Sequence, residues 1–318
     1  MPEALGAPVA AVDCGTNSTR LLVADAGGRT LERRMRITRL GQGVDATGKL
    51  DPEAVARTIS VLSEFRAVMD GLGVVEARMV ATSAVRDAVN GAEFLEAAAD
   101  VLGMPLELLS GEEEGRLAFM GATADLSPVP GDDVVVDIGG GSTELVVGHK
   151  GHVEAVSVDI GCVRLTERHF AHDPPTSGEM ASAEADVREE LETAFRRVPR
   201  LTGLPAQSRL IGLAGTVSTL AAVEQGLEEY DAERIHLFVL TRAVVRRWLE
   251  VLASEPSATR GRRPGMDPGR RDVIVAGVLV LDLVMTTLGL DDCLVSESDI
   301  LDGLVASVQV TSPPADPA

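Results

Sequence analysis

Aromatic side chains are scarce in this sequence: one Trp, one Tyr and 6 Phe among 318 residues. Proteins that hold nucleic acid by stacking its bases need such platforms, so the scarcity argues against a nucleic-acid partner. Positive charge is scarce as well. The 29 Lys and Arg stand against 49 Asp and Glu, a net charge of -20, whereas general affinity for polyanions rests on a basic surface. Cysteine is limited to Cys14, Cys162 and Cys293. They are odd in number, far apart and without metal-ligand spacing, which argues against a disulfide framework and a zinc site and fits a reducing cytoplasm. The start, Met1 to Pro8, lacks the charged-then-apolar pattern of a signal peptide. The most apolar run, Val273 to Leu290, carries Asp282 in its middle and follows two arginines. It reads as a buried helix, not a membrane span.

What is present is an ordinary globular composition, with 45% hydrophobic and 25% charged residues and 32 glycines, in a chain long enough for two domains. Against the acidic background two arginine clusters stand out: Arg33, Arg34, Arg36 and Arg39, then Arg260, Arg262, Arg263, Arg270 and Arg271. An anionic substrate needs a locally basic site, and these clusters could track a polyanion. Either cluster alone reads as a solvated face.

The chain contains an internal repeat. Asp13-Cys-Gly-Thr-Asn-Ser-Thr-Arg-Leu-Leu-Val reappears as Asp137-Ile-Gly-Gly-Gly-Ser-Thr-Glu-Leu-Val-Val. In each copy an apolar strand precedes the Asp, a second strand follows, and a turn (Gly27-Gly28; Lys150-Gly151) leads to a third. One β-turn-β-turn-β unit used twice implies two domains of similar build. Between and after the copies, helices alternate with strands, which predicts parallel sheets covered by helices. Helices are expected over 51–70, 90–102, 112–122, 177–197, 241–252 and 272–288, after Gly215, and from about Asp299. Strands are expected over 74–81 and 106–109, up to Leu213, and near Cys293. Ser127-Pro-Val-Pro-Gly131 reads as the hinge. The expected domains are therefore 1–126 and 127–311, followed by a tail, 312–318, disordered by composition.

The glycine turns carry the chemistry. Gly139-Gly140-Gly141-Ser142-Thr143 offers backbone amides to a phosphate without a Cβ in the way, and hydroxyls besides. Gly15-Thr16-Asn17-Ser18-Thr19 offers the same in the first copy. Alone, each is a tight hairpin; together they favour phosphate binding. Acidic residues beside such loops imply a cation. Asp137 and Glu144, with phosphate oxygens and water, can complete the oxygen shell that Mg²⁺ requires. Asp13 is the counterpart of Asp137, with a cap on the turn amides as its other reading. Position 20 is Arg where the second copy has Glu144, so one copy is cationic and the other metal-binding. Ser110-Gly-Glu-Glu-Glu-Gly-Arg116 follows a strand and opens a helix, a place where α/β sheets put ligand contacts. Glu112 and Glu113 read as helix-dipole partners, and periodicity does not decide which of the three glutamates points into a site. Arg86, just past a strand end in Ala81-Thr-Ser-Ala-Val-Arg86, is placed to neutralise a transferring phosphoryl group.

These motifs, with Gly161-Cys-Val-Arg164 and Ala214-Gly-Thr216, resemble the exopolyphosphatase and guanosine pentaphosphate phosphohydrolase family, within the actin, sugar-kinase and chaperone ATPase superfamily. The resemblance covers nearly the whole chain. It implies an α/β fold of two ribonuclease-H-like, actin-like ATPase domains with a cleft between them, in the short, two-domain subgroup. It implies Glu114 as the catalytic base, Asp137 and Glu144 as metal carboxylates, Gly215 and Thr216 as further phosphate contacts, and a homodimer.

The activity expected is release of terminal orthophosphate from polyphosphate, with Mg²⁺ or Mn²⁺, by in-line attack of water. Guanosine pentaphosphate is the alternative substrate, and a non-catalytic alarmone or nucleotide sensor the alternative class. A sugar or acetate kinase is disfavoured, because no acceptor pocket motif is evident.

Overall fold

The computed structural model describes residues 7–311. The tail 312–318 and most of the Met1 to Pro8 start lie outside the described residues. Along the chain run β1 (Val9–Cys14), β2 (Ser18–Ala24), β3 (Thr30–Ile37), α1 (Val44–Thr47), α2 (Pro52–Gly71), β4 (Glu76–Ala81), α3 (Ser83–Asp87), α4 (Gly91–Leu102), β5 (Glu107–Leu108) and α5 (Gly111–Thr123). The second repeat supplies β6 (Asp133–Ile138), β7 (Thr143–His149) and β8 (His152–Val158). Then come α6 (Cys162–His169), α7 (Ser177–Arg197), β9 (Arg209–Leu213), α8 (Ala214–Gln225), α9 (Ala232–Ile235), β10 (Val239–Thr241), α10 (Arg242–Ala253), α11 (Ser257–Arg260), α12 (Ile274–Leu288), β11 (Asp292–Val295) and α13 (Ile300–Thr311).

Two compact units result, one reaching Ser110 and resuming at Ile300, the other Gly111–Asp299. The first holds a five-stranded sheet in the order β3-β2-β1-β4-β5, antiparallel among β1, β2 and β3 and parallel from β1 to β4 to β5. The second holds β10-β11-β9-β6-β7-β8, antiparallel among β6, β7 and β8 and parallel from β6 to β9 to β11. With β6 taken as β1, the two orders coincide, and β10 is an addition. This is the ribonuclease-H-like, actin-like ATPase fold, present twice.

Both sheets are covered on both faces, which is why their central strands read as unbroken apolar runs. In the first unit Ala10, Val12, Leu21 and Val23 join Leu62, Phe65 and Phe94 of α2 and α4 in one core. In the second, Val134, Val136, Ile138 and Leu145 join residues of α7, α8 and α12. The opposite faces receive α13 and α5, which pack on β1, β2 and β4 and on β6, β7 and β8, respectively.

That last assignment corrects the expected boundary at 126/127. The chain leaves the first unit at Ser110, so α5, with Glu114, belongs to the second, and α13 returns to the first. The physical reason lies in side-chain size. A Cβ on Gly111 would stand 2.2 Å from the Ser157 Cβ, one on Gly115 would stand 2.9 Å from Val146 Cγ2, and Phe119 fills the space over Gly148. Residues four apart on a helix share a face, and alternate residues of β7 share another, so Gly111, Gly115 and Phe119 fit a surface that includes Glu144, Val146 and Gly148. Periodicity identifies the helix but carries no record of which sheet it fits.

The Val273 to Leu290 run is a core helix, α12, buried over nearly its whole length. No helix among the described residues is long and apolar enough to cross a membrane. Asp282, in the middle of α12, is buried with Arg246 Nη2 3.5 Å from its Oδ2.

The start of α7 is set by a capping box. Thr176 Oγ1 accepts from the Glu179 amide, and Glu179 Oε2 accepts from the Thr176 amide at 2.7 Å, the reciprocal arrangement that satisfies otherwise unpaired helix donors. The His172 side chain, then the Thr176 amide, hold the Glu179 carboxyl down at about 2. A carboxylate depressed on folding contributes stability above its unfolded value that is lost as pH falls toward its folded one. The difference in melting temperature between wild type and Glu179→Gln should therefore be largest near neutrality. It should shrink toward zero as pH falls from about 4.5 to about 2, read by circular dichroism melts across that range.

Candidate active site

Asp137 at the end of β6 lies directly opposite Glu144 on β7, and Glu144 lies directly opposite Ser157 on β8. Residues opposite each other in antiparallel strands point to the same side, so the three form a row across one face of the sheet. Glu144 is 1% exposed and Asp137 8%. The Ser157 hydroxyl donates to Glu144 Oε1 at 2.7 Å.

The glycine turn sits at the end of this row, and its carbonyl groups are all committed. The Cys162 amide donates to the Gly139 carbonyl, those of Val163 and Arg164 to Gly140, and that of Gly161 to Gly141. Arg164 Nε adds a bond to the Gly141 carbonyl at 2.7 Å. With the carbonyls turned to the first turn of α6, the peptide planes direct their N–H groups to the other side, the arrangement that makes an anion-binding nest. The first copy repeats it. Gly15 N donates to Ser18 O at 3.0 Å as Gly139 N does to Ser142 O at 3.0 Å. There the amides of Thr38, Arg39 and Gly41 take the carbonyls of Asn17 and Thr16. Asn17 Nδ2 is buried without a hydrogen-bond partner among the described residues, a donor that a phosphate oxygen would satisfy.

Helix α5 distinguishes the three glutamates that periodicity leaves equal. Glu112 pairs with Arg197 at 2.6 Å, Glu113 is exposed, and Glu114 is half-buried with Oε2 shielded from solvent. The neighbouring Gly115 lies against Glu144: a Cβ there would stand 3.3 Å from the Glu144 Cβ. Glu114, Asp137, Glu144 and the loop 139–143 thus belong to one unit.

Other expected residues are placed differently. Asp13 lies opposite Arg20, whose Nε and Nη2 donate to its Oδ2 at 2.9 and 2.6 Å. Where the second copy sets carboxylate against carboxylate, the first sets a guanidinium against its Asp. Arg86 Nη1 donates to the Leu109 carbonyl at 2.8 Å. Thr216 is 2% exposed and faces Gly277 and Cys162, and the Arg270 guanidinium covers Gly215. The arginine clusters are largely consumed by carboxylates: Arg33 by Asp302, Arg34 and Arg36 by Glu64, Arg260 by Asp173, Arg263 by Glu255. Arg260 and Arg270 are buried, so the second run is not a continuous solvated track, whereas Arg33 and Arg36 of the first are exposed. Burial pushes the thiols of Cys14, Cys162 and Cys293 up, that of Cys293 to about 12, so none is a thiolate nucleophile.

Among the described residues no group of three or more His, Cys, Asp or Glu side chains forms a metal cage. The Asp137–Glu144 pair nevertheless fits a hard cation. Like charges set directly opposite in a sheet repel, and buried charge is costly without compensation. A cation that keeps several waters, held by one or two carboxylates plus phosphate oxygens, needs nothing more.

Several contributors carried no signal in the repeat. Ser157 occupies an ordinary strand position, and Arg197 ends a polar helix. Gly41 and Gly161 follow the third strand of each copy and touch the loops: a Cβ on Gly41 would stand 2.4 Å from Thr16 Cγ2 and one on Gly161 2.2 Å from the Gly140 carbonyl oxygen.

A model of the Ppx/GppA phosphatase family matches residues 16–310. Exopolyphosphatase 2 of Mycobacterium tuberculosis is 46% identical over 94% of this chain and 98% of its own length. The crystal structure of the Ppx/GppA family member from Aquifex aeolicus is 34% identical, with a TM-score of 0.79, and the match covers 96% of this chain and 99% of that one. That of an exopolyphosphatase from Cytophaga hutchinsonii is 25% identical, with a TM-score of 0.86 and the same coverage.

Because the atoms that an added Gly161 Cβ would meet are backbone and cannot swing away, Gly161→Ala should destabilise the protein by about 1–3 kcal/mol. Gly178, in α7, has open space around it, so Gly178→Ala should be neutral or stabilising by up to about 1 kcal/mol. Paired denaturation curves check both.

Proposed function

Because the chain belongs to the Ppx/GppA phosphatase family, we propose that it is an exopolyphosphatase, releasing terminal orthophosphate from polyphosphate with Glu114 as general base. The observation that carries this reading is the seating of the Glu114 helix against the Asp137–Glu144 row, beside a glycine loop whose carbonyls face away. Glu114 takes a proton from water as the water oxygen attacks the terminal phosphorus and the bridging P–O bond breaks. The amides of the 139–143 loop hold oxygens of the reacting phosphate, and the loop 15–18 binds phosphate in the first unit. Within the first unit, Arg86 adds a guanidinium able to neutralise phosphate charge.

Asp137 and Glu144 would hold the divalent cation, assigned as Mg²⁺ with Mn²⁺ able to replace it. When bound, it supplies electrostatic neutralisation of the phosphate oxygens. The buried, thiolate-free cysteines suit a reducing cytoplasmic setting. A homodimer is the assembly proposed, and light scattering at micromolar concentration should give twice the chain mass of 33.3 kDa.

Incubation with polyphosphates of defined length and Mg²⁺ should release orthophosphate over many turnovers. No release at any length would overturn the assignment. Guanosine pentaphosphate in the same tube should compete poorly; preferred cleavage of it would move the substrate to the nucleotide. Glu114→Gln should lower kcat by about 10²–10⁴-fold, the usual contribution of a general base, while equilibrium binding of polyphosphate persists.

A further inference from the structure

The row that carries Asp137 and Glu144 ends on a residue with no assigned role. Ser157 stands opposite Glu144 in the β7–β8 register and donates its hydroxyl proton to Glu144 Oε1 at 2.7 Å. One carboxylate oxygen is thereby committed to the sheet, and the carboxylate plane is fixed. The same serine is where α5 touches down. A Cβ on Gly111 would stand 2.2 Å from the Ser157 Cβ and 2.5 Å from its Oγ, so only glycine lets the helix approach this closely without displacing the hydroxyl. Arg197 locks the contact from the side: Nη2 donates to Glu112 Oε1 at 2.6 Å and Nη1 to the Ser157 carbonyl at 3.3 Å.

We propose that Ser157 is a positioning residue shared by both halves of the site: its hydroxyl orients the Glu144 carboxylate for the cation, and its backbone and Cβ form the seat on which the Glu114 helix rests. The inference rests on the reading of Glu144 as a cation ligand. Partners in the outer shell of a metal site act by restricting ligand orientation, and their loss commonly costs 10–100-fold in metal affinity or activity. Here the restriction and the helix seat meet in one residue, so the two functions separate by chemistry: the hydroxyl serves the carboxylate, the side-chain volume serves the helix.

The test uses the full-length protein and two readouts: binding of Mn²⁺ alone, by calorimetry or by loss of the free-ion electron paramagnetic resonance signal, and steady-state phosphate release. Ser157→Ala removes the hydroxyl and keeps the Cβ. It should weaken Mn²⁺ binding at least about 10-fold while kcat at saturating metal stays within a few-fold of wild type. Gly111→Ala should lower kcat, because its Cβ must displace Ser157 or lift the helix. In the double variant Ser157→Gly with Gly111→Ala the nearest atom left is the residue 157 Cα at 3.7 Å, an ordinary contact. That variant should regain kcat relative to Gly111→Ala and still bind Mn²⁺ weakly; it also serves as the test should Ser157→Ala fail to fold. Wild-type Mn²⁺ affinity in both variants that lack the hydroxyl would overturn the proposal. Glu144→Gln is the reference: if it leaves Mn²⁺ binding intact, the cation assignment itself falls, whereas if it abolishes binding and Ser157→Ala does not weaken it, only the role of Ser157 falls.

Discussion

The contact on which the second unit's chemistry depends is the packing of α5 onto β7 and β8. A helix places a side chain on the same face every fourth residue, and a strand every second, so Gly111, Gly115 and Phe119 meet Ser157, the Glu144–Val146 stretch and Gly148 along one line. Two of the three helix positions are glycines, and at both a methyl group would collide with a strand side chain. Glycine inside a helix costs up to about 1 kcal/mol relative to alanine; here that cost is offset by an approach close enough to bury Glu144 under the helix.

A second constraint comes from the repeat. In both copies the Asp at the end of the first strand faces residue 20 or its counterpart 144 across the ladder. The backbone solution is common, and the charge solution is opposite. Asp13 meets a guanidinium at hydrogen-bond distance through its Oδ2. Asp137 meets a carboxylate, an arrangement that invites an external cation. Each copy also spends the amides of the segment after its third strand on the carbonyls of its glycine loop, through a glycine pressed against that loop, Gly41 or Gly161. The two copies share the loop geometry, while Arg20 in one and Glu144 in the other give them opposite charge.

The net charge of -20 and a phosphate substrate are reconciled by the same economy. Most arginines of the two basic runs neutralise carboxylates within their own unit, and Arg260 and Arg270 are buried in doing structural work. In the proposed function, attraction for phosphate falls to short-range donors such as the loop amides and Asn17, whose directionality survives an unfavourable long-range field because that field is screened over about 10 Å at ordinary salt.

Much of this was legible from the residues alone. The repeat, its strand and turn order, the buried nature of the 273–290 run, and the helices α2, α4, α5, α7 and α12 follow from apolar periodicity and capping residues, because these are local properties. So does the pairing of Asp137 with Glu144, since a tight turn between two strands sets the register. Three things were not legible, for one reason: they depend on which surfaces meet. The residues Gly111 and Gly115 are ordinary helix interruptions until β7 and β8 are laid beneath them. The place of Glu114 in the second unit and of α13 in the first is a matter of shape fit between distant segments. Ser157, a strand residue like any other by pattern, acquires meaning from the carboxylate it faces and the helix that rests on it.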